Sequence, residues 1–501
     1  MPAPTLLFMK TKWSTFFYVA IVAGLGTVIY FIIQQGNSLQ KAISTTQQIQ
    51  QNRNTTTGNN SFDMFSNSFN HNLTDPLAML LLQIIVIIGF ARLFGFLFKK
   101  IGQPVVIGEI VAGIVLGPSI AGLFFPDLNH LLFPAASLGT LNFLSQIGLI
   151  LFMFIIGMEL DLKAMSKQAY DAVIISHASI IIPYTMGMGL AYFMYHDYAP
   201  AGISFLSFSL FMGITMSITA FPVLARILQE KGLTRTKLGA MALTCAAADD
   251  LTAWCILAAV IALVKSGSSV SALYTIGLAI AYVLLMLKVV RPALQKLENI
   301  YAKNEKHRTP IIALLFIMLI VSSYATSIIG IHSLFGAFIA GMVMPSGFGF
   351  RKIVIDKIED VSIVLLLPLF FVITGLKTQI GLLNEGHLWV TFGWVLLVAV
   401  SGKFGGSAIA ARMVGQSWKD SLSIGVLMNT RGLMQLIVLN IGYDLGILSP
   451  QIFAMMVLMA LVTTFMTGPA LELINWLMSK KSLKYETTTE LNTSPENQPI
   501  V

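Results

Sequence analysis

The sequence contains very little charge for its length. Only 11% of its 501 residues are Asp, Glu, Lys or Arg, whereas a soluble protein carries about 25%. Hydrophobic residues make up 56% of the chain, and the mean hydropathy is +0.79. This composition excludes a soluble protein and predicts an all-α polytopic membrane protein.

Cysteine and long polar stretches are also scarce. Cys245 and Cys255 lie on one apolar segment, which excludes a disulfide framework and a zinc site. The polar stretches, 34–75 and the residues after Lys480, are too short to bury a core. The net charge is +8, but the basic residues lie in short loops between apolar segments. They indicate membrane topology rather than nucleic-acid binding, and we expect neither an enzyme nor a cofactor.

From Pro76 onwards, thirteen apolar segments follow one another. They lie at 76–98, 104–123, 137–160, 172–195, 202–228, 238–264, 270–291, 310–330, 332–349, 361–380, 388–412, 419–443 and 450–476. Lys and Arg concentrate in the loops that follow odd-numbered segments. The positive-inside rule therefore places the start of the first segment outside and the C-terminus in the cytoplasm. We expect a multi-pass protein of the plasma membrane, which is the inner membrane in a bacterium.

The chain is predicted to have four parts. Residues 1–33 form a basic start followed by an apolar stretch, which is typical of a signal peptide or a signal anchor. Residues 34–75 are a polar extracellular or periplasmic linker, and 76–476 form the transmembrane domain. Residues 477–501 are predicted to be a disordered cytoplasmic tail.

Two adjacent carboxylates, Asp249 and Asp250, lie in the middle of the sixth segment. Insertion scales assign about 2.5–3.5 kcal/mol to each ionised side chain at the centre of a membrane helix. One interpretation is a pair of acids that is kept neutral or satisfied by neighbouring helices. The interpretation that we favour is a site where protons and a cation compete, because adjacent carboxylates cannot both ionise cheaply.

The fifth segment is predicted to be interrupted in mid-membrane. Pro222 removes a helix hydrogen bond, and hydroxyl groups can satisfy the backbone groups that are freed. The hydroxyl residues here are Thr215, Ser217 and Thr219. The alternative is a continuous, kinked helix whose hydroxyl groups bond to their own carbonyl groups.

The twelfth segment contains a second predicted interruption, at Asn429, Thr430 and Arg431. The two interrupted segments are seven apart, so they cross the membrane in opposite directions, as an inverted-topology repeat requires. Their half-helix ends would then place partial charges near the aspartates. Lys403, in the middle of segment eleven, needs a carboxylate partner or a wet cavity. The glycines around Glu109 indicate close helix packing, and the roles of Glu109 and Arg431 stay open.

Six stretches carry a family resemblance, and they span about 76–476 in the expected order: GEIVAGIVLGPS, IGLILFMFIIGMELD, SITAFPVLARIL, ADDLTAW, LPLFFVITGLK and NTRGLMQLIVLNIG. The chain resembles the second monovalent cation:proton antiporter family, which includes bacterial Na⁺/H⁺ and K⁺/H⁺ exchangers and plant cation/H⁺ exchangers. The resemblance implies a thirteen-helix inverted repeat with two crossed, interrupted helices. It also implies a six-helix core domain that moves against a dimerisation domain, and hence a homodimer.

The resemblance also assigns roles to individual residues. It implies that Asp250 is the essential carboxylate for cation and proton, and that Lys403 is the basic partner of Asp249. Thr219 and its neighbours Thr215 and Ser217 would supply the first unwound segment. Family members with Asp-Asp and a lysine opposite tend to be electrogenic, whereas Asn-Asp members tend to be electroneutral.

The predicted function is secondary active antiport of a monovalent cation (Na⁺ or K⁺) against protons. It works by alternating access, with net charge movement at the paired-aspartate site, and serves pH homeostasis. Carboxylate, hydroxyl and carbonyl oxygens suit Na⁺, Li⁺ and K⁺ alike, so the choice of cation stays open. A monovalent cation channel and an electroneutral K⁺/H⁺ exchanger are the alternatives, although no repeated filter sequence occurs. An intramembrane aspartyl protease fits poorly, because adjacent residues on one helix point about 100° apart.

Overall fold

The computed structural model describes residues 75–159, 169–233, 236–266, 269–296, 308–345 and 348–492, with a few isolated residues before 75. The chain divides into two compact units, Met1–Asp75 and Pro76–Val501. The predicted signal segment 1–33 and linker 34–75 lie outside the described residues apart from those isolated positions. The second unit contains all the helices discussed below.

The described residues in the first half of the second unit include ten α-helices with defined bounds, besides the helical residues 291–296. They are α1 Pro76–Lys100, α2 Val105–Leu116, α3 Ala121–Phe124, α4 Pro126–Leu132, α5 Ala135–Glu159, α6 Ala169–Tyr198, α7 Phe205–Ser217, α8 Phe221–Glu230, α9 Lys237–Ser266 and α10 Ser269–Leu285. A π-helical turn, Met286–Val290, follows α10.

The described residues of the second half form nine α-helices. They are α11 Arg308–Ile329, α12 Ser333–Met342, α13 Phe348–Glu359, α14 Leu367–Lys377, α15 Gly386–Val400, α16 Gly406–Met413, α17 Trp418–Met428, α18 Leu433–Asp444 and α19 Pro450–Asn492. Short non-α turns connect some of them: π-helical Asp360–Leu366 and Ser401–Gly405, and the 3₁₀ turn Ile380–Leu383.

The all-helical prediction is confirmed, since the described residues contain no strand. Twelve described helical stretches are long and apolar enough to cross a membrane. The predicted segment 332–349 corresponds to α12, which has only ten residues and rises about 15 Å at 1.5 Å per residue. The count of thirteen therefore holds only if this short, buried helix is included.

The last helix extends beyond the predicted end of the membrane domain at residue 476. It continues to Asn492, so part of the segment predicted as a disordered tail is helical in the structure. Residues 477–492 contain Leu, Lys, Met and Glu, which favour continuation of a helix. Residues 493–501 lie outside the described residues.

Contacts between helices divide the membrane segments other than α10 into two bundles, and α10 contacts α9 of one and α11 of the other. The scaffold bundle consists of α1, α2, α5, α11, α12 and the continuous stretch α13–α14. The core bundle consists of α6, α7–α8, α9, α15–α16, α17–α18 and α19. Each bundle takes three segments from each half of the chain, as expected for interlocked inverted repeats.

Two glycine pairs bring the helices of the scaffold bundle together. Gly113 of α2 packs against Gly375 of α14, and Gly157 of α5 packs against Gly341 of α12. A Cβ atom on Gly113 would lie 2.2 Å from the carbonyl oxygen of Val372. Only glycine permits such a close backbone approach, so both crossings fix the spacing between the two halves of the chain.

The core bundle contains both predicted interruptions. The first lies between α7 and α8, where Ile218 and Ala220 are extended, and the second lies between α17 and α18. The amide of Ala220 donates to the carbonyl oxygen of Thr430 at 3.0 Å, which joins the two stretches at their crossing. The crossing leaves the ends of four half-helices close together in the middle of the bundle.

Candidate cation- and proton-binding site

Helix α9 carries Asp249 and Asp250 past the crossing. Both are buried, with exposures of 0% and 1%. Asp249 accepts four hydrogen bonds: from Ser176 Oγ at 2.6 Å, Ser179 Oγ at 3.0 Å, Thr219 Oγ1 at 2.6 Å and Lys403 Nζ at 2.9 Å. These four donors hold the Asp249 carboxylate in a fixed position.

Lys403 reaches Asp249 from the π-helical turn Ser401–Gly405. Such turns are frequent at functional sites, because they change the direction in which a side chain leaves the helix. The ammonium also donates to the carbonyl oxygens of Ser179, at 3.0 Å, and Ser217. Its three N–H groups therefore donate to three oxygen atoms. Lys403 and Asp249 lie at ion-pair distance, as predicted from the sequence.

Asp250 has a different environment from its neighbour. Among the described residues, neither carboxylate oxygen has a hydrogen-bond partner. Since an unpaired buried carboxylate is costly, Asp250 has a requirement that a bound proton or cation would meet.

Thr215 and Ser217 are placed differently from Thr219. The hydroxyl of Thr215 donates to Met212 O, and that of Ser217 donates to Ile214 O, both at 2.9 Å. These two side chains are therefore satisfied within their own helix. Of the three predicted hydroxyl residues, Thr219 alone directs its hydroxyl to an aspartate, whereas Ser217 contributes its carbonyl oxygen.

Arg431 extends from the second interruption to the first. It donates from Nη1 to Thr215 O at 2.9 Å and from Nη2 to Met216 O at 2.8 Å. Lys403 donates to Ser217 O and the Ser217 hydroxyl donates to Ile214 O, so each of the last four carbonyl groups of α7 accepts a hydrogen bond from a side chain. Arg431 thus acts as a cap on a helix C-terminus, which carries negative partial charge.

The remaining predicted residues, Asn429 and Thr430, lie at the second interruption. Thr430 donates its hydroxyl to Thr467 at 3.3 Å, and Asn429 Oδ1 has no hydrogen-bond partner among the described residues. The main chain of Arg431 is held by Thr464, which accepts from its amide at 3.1 Å and donates to its carbonyl at 2.6 Å.

Sequence reasoning missed Ser176 and Ser179 of α6. Their spacing of three residues places them on one face of a helix, and both are fully buried. That spacing in an otherwise apolar segment was the available signal. His177, between them, is exposed and bonds to the carbonyl oxygen of Val173 in its own helix.

Comparison with known proteins identifies the family. The model of the family described as "Sodium/hydrogen exchanger, transmembrane" matches residues 84–476. The chain belongs to this sodium/hydrogen exchanger family. Within it, the Na(+)/H(+) antiporter NhaS4 of Synechocystis is 42% identical over 397 residues, which cover 79% of this chain and 97% of that protein.

Other exchanger-family relatives are longer than the matched region. Cation/H(+) antiporter 17 of Arabidopsis thaliana is 39% identical over 85% of this chain, and K(+)/H(+) antiporter 1 of Saccharomyces cerevisiae is 34% identical over 81%. The chain spans about half the length of these two relatives, 52% and 48%. The first of these names specifies no particular cation and the second specifies K⁺. The names therefore leave the transported cation of this chain open.

The fold is also found in a solved structure. The sodium proton antiporter MjNhaP1 from Methanocaldococcus jannaschii at pH 8 superposes with a TM-score of 0.57, covering 80% of this chain and 97% of that chain. The sequence identity is 16%, so this likeness supports the fold alone.

Proposed function

We propose that this chain is an electrogenic antiporter that exchanges a monovalent cation, Na⁺ or K⁺, for protons at Asp250. The observation that carries the proposal is the unequal bonding of the two aspartates. Asp249 accepts four hydrogen bonds, one of them from Lys403, whereas Asp250 accepts none among the described residues. Asp249 is held by fixed donors, whereas Asp250 is the carboxylate that can exchange a bound proton for a cation.

In the arrangement described, Asp249 and Lys403 neutralise each other, and a proton on Asp250 completes a neutral site. A cation that replaces this proton also competes with the ammonium for Asp249. When the ammonium leaves, it loses its proton, because a lone charge in the bilayer core is costly. The site then holds one cation in place of two protons, so each cycle moves net charge.

The oxygens that Lys403 releases are suitable ligands for the cation. They are the carbonyl oxygens of Ser179 and Ser217 and the carboxylate of Asp249. Together with Asp250 they form a set of hard oxygen donors, which suits Na⁺, Li⁺ or K⁺. In this proposal the ammonium occupies the place that the cation takes later in the cycle.

Alternating access requires the core bundle to move against the scaffold bundle. Polar contacts join the two bundles at one end of their interface: Lys377 of α14 pairs with Asp444 of α18 at 2.8 Å, and Asn440 donates to Thr374 at 2.9 Å. These contacts are few compared with the packing inside each bundle. They can be exchanged as the bundles slide, which supports a transporter rather than a channel with a fixed pore.

The proposal includes the topology and the assembly. We expect the protein to lie in the plasma membrane, with the start of α1 outside and the C-terminus in the cytoplasm. We also expect it to form a homodimer. Labelling of single cysteines introduced into 34–75 from outside intact cells, in a background that lacks Cys245 and Cys255, checks the orientation. Labelling only after permeabilisation would reverse it.

Transport in proteoliposomes tests the site. Na⁺, Li⁺ and K⁺ are tested separately under an imposed pH gradient, and then under a membrane potential without a pH gradient. We expect Asp250→Asn to abolish exchange, because it keeps the volume and removes the charge. Asp197→Asn, at an exposed carboxylate of α6, is the matched control and should transport normally.

Two outcomes would contradict this proposal in different ways. Cation-dependent proton flux in Asp250→Asn would remove Asp250 from the transport site. Wild-type exchange that ignores an imposed potential would leave the electroneutral K⁺/H⁺ exchanger, and a current that persists without any proton gradient or flux would indicate a channel.

A further inference from the structure

A cavity of about 350 Å³ lies between α9, α10 and the start of α12. Four small side chains at the spacing of one helix face line it from α9: Cys255, Ala258, Ala259 and Ala262. Ile331 and Phe335 line it from the α12 side, and one face of α10 covers it. The cavity therefore lies where the core bundle meets the scaffold bundle. Ala259 follows Asp250 by nine residues, a distance of about 14 Å along α9, so the cavity is separate from the cation site.

Helix α10 is attached on both sides of this cavity, which keeps it from closing the gap. It begins at Ser269, soon after α9 ends at Ser266, so its first turn is held beside α9. Further along, Tyr282 OH lies 2.5 Å from Ser322 Oγ of α11, and Ser322 donates to Gly336 O of α12 at 2.6 Å. Between these two attachments, the α9 face carries only methyl and thiol groups, which are too short to fill the space below α10.

The walls of the cavity are apolar. The hydroxyl of Thr275 donates to Ser271 O at 3.3 Å in its own helix, and the thiol of Cys255 is a weak hydrogen-bonding group. A buried water needs about two to four polar partners, and apolar cavities of about 150 Å³ stay dry and bind benzene instead. A void also forfeits the dispersion contacts of the atoms that line it. A cavity of this size within a membrane is therefore suited to hydrocarbon.

The cavity opens onto the surface that contacts lipid. Ile280 and Leu284 of its α10 wall are 56% and 47% exposed, and Cys255 is also exposed. Leu278 and Leu285 are exposed beside them, so the opening is continuous with an apolar, membrane-facing surface. A helix of another protein is about 10–12 Å across, and one turn of it would exceed the volume of the cavity. A lipid acyl chain is narrower and flexible, and it is already present at this surface.

We propose that this cavity binds one acyl chain of a membrane phospholipid, which fills the gap between the core bundle and the scaffold bundle. The chain enters beside Cys255 and packs against the alanines of α9 on one side and against Phe335 on the other. It supplies the packing that the small side chains of α9 leave out. This lipid is a structural ligand of the interface between the bundles, in contrast to the lipid that surrounds the protein and exchanges freely.

Photo-cross-linking tests the site. Full-length protein is reconstituted with a phospholipid that carries a diazirine in one acyl chain, and the adducts are located by mass spectrometry. In the wild type, adducts on the α9 face from Cys255 to Ala262 should saturate at a low mole fraction of the probe. Adducts on exposed Leu278 should instead rise in proportion to it. Ala259→Leu fills the cavity and should lose the α9 adducts. Ala281→Leu makes the same change at an exposed position of α10 outside the cavity and should keep them.

Three results would overturn the proposal. They are wild-type protein without adducts on the α9 face, adducts there that rise without saturation as on Leu278, and saturable adducts that persist in folded Ala259→Leu. The second result would mean surrounding lipid only. Should Ala259→Leu not fold, Ala262→Leu replaces it, with the same expected loss. None of these measurements needs transport, so a failure of exchange in the wild type would overturn the proposed function and leave the lipid site standing.

Discussion

The interruption after Ser217 and the interruption after Met428 end their helices by different means. The carbonyl groups at the end of α7 receive two buried cations, Arg431 and Lys403. At the end of α17, the amides of Asn429 and Thr430 turn back onto the last turn, and the Thr219 hydroxyl lies 3.1 Å from Met428 O. Among the described contacts, no cation reaches that second end.

This difference shows that a symmetric fold can carry an asymmetric charge distribution. A helix C-terminus carries about half a negative charge, and two cations exceed that at α7. The excess lies beside Asp249, which one of them neutralises. Arg431 belongs to the second interruption by sequence but serves the first, so one repeat supplies charge to the other.

The largest expected effect comes from removing the guanidinium of Arg431. Arg431→Leu leaves the carbonyl oxygens of Thr215 and Met216 unsatisfied in the bilayer core. We expect the free energy of unfolding to fall by about 3–5 kcal/mol, as for the loss of one partner from a buried charge network. Thermal unfolding of the purified protein measures this. Arg412→Leu, which removes an exposed guanidinium bonded to Gln416 O, should have little effect, and equal unfolding temperatures in both variants would refute the capping role.

A smaller loss of stability is expected at Lys403, because the proposed cycle requires the protein to stay folded when this ammonium leaves. Lys403→Gln should cost about 1–3 kcal/mol, the cost of unsatisfied buried groups, and should remove the response of transport to membrane potential. Lys265→Gln at the end of α9 is the control. A loss of stability as large as that of Arg431→Leu would mean that both cations are structural, and the comparison between them would fail.

The smallest effect is expected at the second interruption, which depends on hydroxyl groups. Thr464→Val removes the partner of the amide and carbonyl of Arg431 and should cost about 1 kcal/mol. Thr463→Val is matched to it, since the Thr463 hydroxyl bonds to Met459 O in its own helix. If chemical denaturation shows no difference between these two valine variants, Thr464 does not hold the interruption.

Residues with an obvious cost in a membrane could be found from the sequence. Pro222, the pair Asp249–Asp250, and Arg431 each disturb an apolar segment, so their positions predicted the two interruptions and the centre of the site. The glycines around Glu109 predicted close packing, and a Cβ on Gly108 would lie 2.5 Å from Phe94 O. Charge, proline and glycine leave signals that one segment reveals by itself.

Other features depend on which atoms meet in space. Thr185 and Ser179 are hydroxyl residues of one helix, yet the first bonds to its own backbone and the second to Asp249. The local sequence around Thr185 and Ser179 does not indicate which hydroxyl bonds to its own backbone and which bonds to Asp249. Thr215 and Ser217 were predicted to belong to the unwound segment of the site, and their hydroxyls bond within α7. The reach of Arg431 to the opposite repeat was equally hidden, because it depends on the crossing.

The glycine pairs of the scaffold bundle also bear on how the protein is made. Gly113 and Gly157 are synthesised in the first half of the chain, whereas their partners Gly375 and Gly341 come in the second. The early helices are therefore inserted into the membrane before they can pack against these partners. Until the later helices are synthesised, lipid contacts the shallow grooves that Gly113 and Gly157 leave on the helix surfaces. A chain truncated after α10 would contain the early helices without their packing partners. Its two glycine-lined surfaces would then be accessible to other membrane helices.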